Sequence, residues 1–133
     1  LIKVTEEAFY AGMAQARAGL EIRDVARAVQ AHVEKHGYSV CREYTGHGVG
    51  RAMHEDPEVP NWWPKQARNR HFASVPLQPG MTLALEPMVI AGRPDTKELA
   101  DRWTVVTRDG SLCAHYEHSI AVTAGDPLIL TEL

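Results

Sequence analysis

The sequence has 133 residues, of which 44% are hydrophobic and 23% charged, and it carries a formal net charge of -3. That length suits one domain, 1–133, with a core of its own, and the balance is that of a globular chain rather than a disordered or fibrous one. No apolar run is long enough to span a bilayer, and no excess of charge points to a nucleic-acid face.

The first residues, Leu1-Ile2-Lys3-Val4-Thr5-Glu6-Glu7, have no signal-peptide layout and no initiator Met, so they read as an internal start. Thr5 is a fitting N-cap for a helix over 6–17, with early glutamates at the positive end of its dipole and Gly19 as its stop. A second helix is predicted over 22–35, where Ile22, Val25, Val29 and Val33 make one apolar stripe and Gly37 stands at the C-cap. His32 and His36, late in that helix, read as surface residues. Residues 38–44 alternate like a strand, and Gly46-His47-Gly48-Val49-Gly50 reads as a turn. Residues 56–79 hold five prolines and read as a long loop, of the kind that often serves function. Within it, Trp62 and Trp63 read as groove-lining or loop-anchoring residues, and the basic run from Lys65 to Arg70 as a solvated loop.

After Pro79-Gly80 a strand is predicted over 81–86, then a polar loop over 91–101. Strands follow over 103–107 and 112–122, joined by a hairpin signal at Arg108-Asp109-Gly110, and a last short strand over 128–130. Helices first and antiparallel strands afterwards indicate an α+β fold, with two helices on one face of a mostly antiparallel sheet. The two cysteines, Cys41 and Cys113, form no CxxC and are too few for a disulfide framework, which makes a reducing cytoplasm the default location.

Three polar residues stand against apolar surroundings: His47 between glycines, Glu86 in Leu83-Ala84-Leu85-Glu86-Pro87-Met88, and Glu117 in Ala114-His115-Tyr116-Glu117-His118. Taken singly, a strand glutamate is usually a salt-bridged or edge residue, and a histidine in a glycine turn is usually solvated. Two glutamates in apolar strands, however, are costly unless paired or bound to a cation. Imidazole with carboxylates suits zinc, manganese, iron or cobalt. Strand alternation puts His115 on the face of Glu117 and His118 on the other. His54-Glu55-Asp56-Pro57 lacks the second histidine of an HExxH site. No nucleophile triad, P-loop or dinucleotide fingerprint is present, and neither cysteine has an activating context.

At these residues the chain resembles the type I methionine aminopeptidases. The likeness runs through Glu43-Tyr44-Thr45-Gly46-His47-Gly48-Val49-Gly50-Arg51, Met53-His54-Glu55-Asp56-Pro57-Glu58-Val59-Pro60-Asn61, Leu77-Gln78-Pro79-Gly80-Met81 with Leu85-Glu86-Pro87-Met88-Val89, and Trp103-Thr104-Val105-Val106-Thr107 into Glu117-His118-Ser119-Ile120. It implies a pita-bread fold of two pseudo-symmetric halves, of which this would be the C-terminal one: two helices on a curved, mostly antiparallel sheet. It implies two divalent metal ions (Co, Mn, Fe or Zn) held by two aspartates from the first half together with His47, Glu86 and the bridging Glu117. Glu86 would also take the proton of the attacking water, and His54 would contact substrate and assist at the scissile amide. Met53 and Trp103 would wall the pocket for the methionine side chain. The implied reaction is removal of N-terminal methionine from peptides and nascent proteins.

The aspartate pair has no counterpart among Asp24, Asp56, Asp95, Asp101, Asp109 and Asp126. The implied partner is therefore the N-terminal half, and the chain alone is expected to be inactive. Met53 stands where the family often has an aromatic ring, and His115 where it commonly has glutamine. Other readings of the same skeleton are a non-catalytic creatinase-like binding module, a fragment of an Xaa-Pro peptidase, or a mononuclear metal-binding domain.

Overall fold

A computed structural model describes residues 1–64 and 73–132, so the basic run from Lys65 to Arg70 lies outside the described residues. Helix α1 spans Ile2–Met13 and buries Thr5, Ala8, Phe9 and Gly12, one stripe at helical spacing. It begins ahead of Thr5, which is therefore not its N-cap. Thr5 is buried mid-helix, and its Oγ1 donates to the Leu1 carbonyl at 3.0 Å. Helix α2 spans Ile22–Lys35, as its stripe predicts, and opens on a capping box in which Asp24 accepts the Glu21 N–H at 2.9 Å. Gly37, at φ +77°, closes it in the left-handed conformation that favours glycine.

The helices pack closely because position 12 is a glycine. A Cβ there would come within 2.6 Å of Val29 Cγ2. Behind them lie antiparallel strands. A five-stranded sheet has the order β10 (Leu128–Ile129), β9 (His118–Ala121), β4 (Thr82–Leu85), β2 (Gly46–Gly48), β3 (Glu55–Val59). A three-stranded sheet has the order β1 (Ser39–Val40), β5 (Met88–Ile90), β8 (Cys113–His115), and β6 (Thr96–Glu98) pairs with β7 (Val105–Thr107). Leu83, Leu85, Val89, Ile120 and Val122 join Phe9, Val25, Val29 and Val33 in the core, so one sheet face is covered by the helices.

Several elements differ from expectation. Residues 46–48 are an interior strand, not a turn, because glycine allows neighbouring backbones to close in. A Cβ on Gly46 would lie 2.3 Å from the Ala84 carbonyl oxygen, and one on Gly48 would lie 2.2 Å from that of Asp56. The proline-rich stretch begins inside β3, where Pro57 is tolerated because β3 is an edge strand of its sheet. The strand expected over 38–44 is paired only at Ser39–Val40, and the loop expected over 91–101 contains β6. Trp103 precedes its predicted strand, which begins at Val105. Arg108-Asp109-Gly110 does make a turn, with Gly110 at φ +75°, but it joins strands of two different sheets rather than a hairpin. Asp109 fixes that turn by accepting the backbone N–H groups of Arg93 at 2.8 Å and Ser111 at 3.0 Å.

The strand over 112–122 is interrupted at Tyr116-Glu117, and its partner breaks at Glu86-Pro87. Pairing resumes in the same register on both sides, Leu85 opposite His118 and Met88 opposite His115. The two breaks therefore face each other, and Glu86 stands across from Glu117.

Candidate metal centre

Alternation from the break sorts the side chains. Ile120 enters the core, and His118 and Tyr116 meet the Phe9 ring at 5.4 and 5.3 Å between centroids, on the helix side. Glu86, Glu117 and His115 take the opposite face, as does His47, whose strand position is paired with Ala84. On that face His47 Nε2 lies 3.4 Å from Glu86 Oε1. His115 Nε2 lies 3.5 Å from Glu86 Oε2 and 3.7 Å from Glu117 Oε2. The His54 ring sits 4.2 Å from that of His47, on the exposed bend that leads into β3.

Neither glutamate lies within a paired strand, so the expectation of strand-embedded carboxylates is corrected. The cost of burial applies to Glu86, whose side chain is 14% exposed, and less to Glu117, at 44%. Each first-rank group is held from behind. His47 Nδ1 donates to its neighbour's carbonyl, Gly48 O, at 2.8 Å, which leaves Nε2 with a lone pair facing Glu86. The fully buried Asn61 donates from Nδ2 to the Glu86 carbonyl at 3.0 Å, while its own Oδ1 has no partner among the described residues. The bend bearing His54 is tied down by Glu55, which accepts the Ala52 N–H at 2.9 Å.

The sequence named Asn61 only as part of a motif and left His115 outside the site. The signal for His115 was its shared face with Glu117. For Asn61 there was none, because its bond runs to a backbone carbonyl 25 residues away. The Glu86 carboxylate, by hydrogen bonding and charge, holds the His115 imidazole above its usual value against the opposing effect of burial. Burial pushes both the Cys41 and Cys113 thiols up, in keeping with their lack of an activating context.

The donor set fits a divalent ion. Bonds of about 2.0–2.2 Å in tetrahedral geometry place ligand atoms about 3.3–3.6 Å apart, a range that holds the 3.4 and 3.5 Å contacts of Glu86, while the His115–Glu117 contact at 3.7 Å lies just beyond it. Two carboxylates facing across a ladder also call for a cation between them. None of the six aspartates joins the Glu86, His115 and Glu117 donor cluster among the described residues.

Beside His115 on the same face opens an apolar cavity of about 340 Å³, lined by Met88, Ile90, Cys41, Cys113, Tyr44 and Val105 among others. Met53 and Trp103 do not line it. They stand 74% and 87% exposed. Trp62 and Trp63 anchor their loop. Trp62 Nε1 donates to the Arg42 carbonyl at 3.2 Å under the Arg42 guanidinium, and the Trp63 N–H donates to Gln30 on α2 at 3.0 Å.

Comparison with known proteins agrees with this geometry. The model of metallopeptidase family M24 matches residues 1–124. The chain is 48% identical over its whole length to methionine aminopeptidase 1 of Bacillus subtilis, and it covers 51% of that protein. It superposes with a TM-score of 0.90 and 42% identity on the crystal structure of methionine aminopeptidase from Thermotoga maritima, covering 100% of this chain and 51% of that one. An Xaa-Pro dipeptidase from Bacillus anthracis shares the fold, with a TM-score of 0.69 at 23% identity, this chain covering 30% of it. The chain spans about half the length of the curated relatives it matches and corresponds to their C-terminal portion.

Proposed function

Since the chain belongs to metallopeptidase family M24, we propose that it is the C-terminal half of an aminopeptidase that removes N-terminal methionine from peptides and nascent proteins. The observation that carries this reading is that His47 Nε2 lies 3.4 Å from Glu86 on the sheet face where Glu117 stands across from Glu86, with donor atoms of the two glutamates within 4.8 Å of each other. His47 and Glu86 would hold one divalent ion, Glu117 would serve both that ion and a second, and two aspartates from a segment outside this sequence would complete the set. The donors suit cobalt, manganese, iron or zinc. When bound, such ions acidify a water and polarise the scissile carbonyl.

The chain's own residues supply the rest. Glu86 accepts the proton of the attacking water from its position among the ligands. His54 is exposed beside His47 and donates to the charge that develops at the scissile amide. Met53, next to His54 in the chain, and Trp103 offer bare thioether and indole surfaces for the methionine side chain. Two free thiols accord with a reducing cytoplasm, and no helix among the described residues is long and apolar enough to cross a membrane.

The test compares two variants of the intact, metal-loaded protein. Glu117→Ala should lose two-metal binding and cleavage of methionyl peptides together. His54→Ala should keep its metal while kcat/KM falls by about 100-fold. Two metals and full activity in Glu117→Ala would refute the bridge, and metal loss in His54→Ala would make that histidine a ligand instead.

A further inference from the structure

On the helix side of the sheet, away from the site just described, a second set of imidazole and carboxylate donors meets. Glu7 lies on α1, and His32 and His36 lie four residues apart on α2, so both rings project from one side of that helix. His32 is not the solvated surface residue its position suggests. Its side chain is 24% exposed, and its Nε2 is 3.3 Å from Glu7 Oε2, the separation of two ligands on one tetrahedral ion. The His36 ring lies tilted against that of His32 at 4.6 Å between centroids, and one donor atom from each of the three residues lies within 4.8 Å of the others.

A separate observation concerns the tautomer. His36 Nδ1 is 2.8 Å from the His32 carbonyl oxygen. A carbonyl only accepts, so Nδ1 carries the proton and Nε2 keeps its lone pair. This is the support that ligating histidines use, and His47 shows the same pattern against Gly48. Lys3 competes weakly. It approaches the other oxygen of Glu7 at 3.8 Å and is 86% exposed, which leaves Oε2 to the imidazoles.

We propose that Glu7, His32 and His36 form a peripheral site for a divalent transition metal of the zinc, nickel or copper class, which clips α1 to α2. Two imidazoles and a carboxylate suit these ions, and water completes the coordination. The donors come from two helices that meet only in the folded chain. Binding is thus linked to folding and independent of catalysis.

The test is equilibrium dialysis of the intact protein against Zn²⁺. The parent is compared with His36→Gln, with the double variant His32→Gln/His36→Gln, and with Glu117→Ala. Both histidine variants should bind one Zn²⁺ fewer than the parent, or bind it at least about tenfold more weakly, while peptide hydrolysis is unchanged. Glu117→Ala should retain this site. At a free Zn²⁺ concentration about 100 times Kd, the parent's melting temperature should rise by about 10 °C, and the histidine variants should lose that increment. His36 is exposed, so its replacement leaves the packing intact and misfolding cannot imitate the result. Unchanged zinc stoichiometry and affinity in the double variant, or a peripheral class that also vanishes in Glu117→Ala, overturns the proposal.

Discussion

His115 is the residue that brings a titratable cation into the carboxylate pair. Its imidazole stands between two carboxylates, and Glu86 raises its pKa above the ordinary histidine value. In the metal-free protein a protonated His115 therefore takes the place of a cation. A raised folded-state value means that the stabilisation is fully present below about pH 6.5, the unfolded value, and is lost as pH climbs through the folded one. The chelator-treated protein should melt at a lower temperature at pH 8 than at pH 6, and His115→Gln should flatten that difference. An equal slope in the variant would assign the pH dependence elsewhere. A bound ion and a protonated His115 compete for the same carboxylates of Glu86 and Glu117, so added metal should matter more at the higher pH.

At the level of elements, β2 decides whether the site exists. Its two glycines are positions where strand backbones have closed to the limit. Gly48→Ala would push a methyl into the Asp56 carbonyl, which is backbone and cannot swing aside. We expect a loss of about 1–3 kcal/mol in urea unfolding, together with weaker metal binding, since the displaced Gly48 carbonyl is the one that orients His47. Gly125→Ala, where a Cβ would meet nothing nearer than 3.9 Å, should change neither quantity. Unaltered stability in Gly48→Ala would mean the ladder gives way there.

The same strand shows what could be read from sequence. Helix α2 was legible to the residue because its apolar stripe and closing glycine agree locally. The candidate donors His47, Glu86 and Glu117 stood out because they lay among apolar or glycine neighbours, but their reading as ligands came only with the family resemblance. Residues 46–48 were misread because glycine signals both a turn and a close approach, and only the partner strands β3 and β4 distinguish the two. The breaks at Glu86 and Glu117 were hidden for a similar reason. The strand predicted over 112–122 runs through Glu117, the strand predicted over 81–86 stops before β5 at Met88–Ile90, and the facing interruption appears only when the two strands are set against each other.

Considered whole, the molecule covers one sheet face with helices and leaves the other to the proposed partner half. Among the described residues nothing pairs with the outer edge of β8, and near it Leu112 is 75% exposed. Trp103, Met53 and Val105 add bare apolar surface. Free edges and apolar patches promote association. The 133-residue polypeptide on its own should sediment as oligomers, bind at most one ion at the His47, Glu86 and Glu117 site, and not cleave methionyl peptides. Co-expression with the aspartate-bearing half should give a defined particle with activity. A monomer that turns over substrate unaided would mean that the ligand set is complete without that half.

The facing breaks at Glu86 and Glu117 have a consequence for motion. Where the two strands keep only the bond from the Tyr116 N–H to the Pro87 carbonyl, at 3.3 Å, the pair has a seam, and in the absence of a cation two like charges sit across it. A bound ion closes the seam like a rivet, joining the five-stranded and three-stranded sheets into one stiff surface. Breathing of the metal-free protein should therefore concentrate at the seam rather than at the loop tips. Amide hydrogen exchange at Leu85, Met88, Tyr116 and His118 should slow on metal addition far more than exchange in α2. Uniform protection across the chain would show that the ion stabilises the fold globally and leaves no local joint.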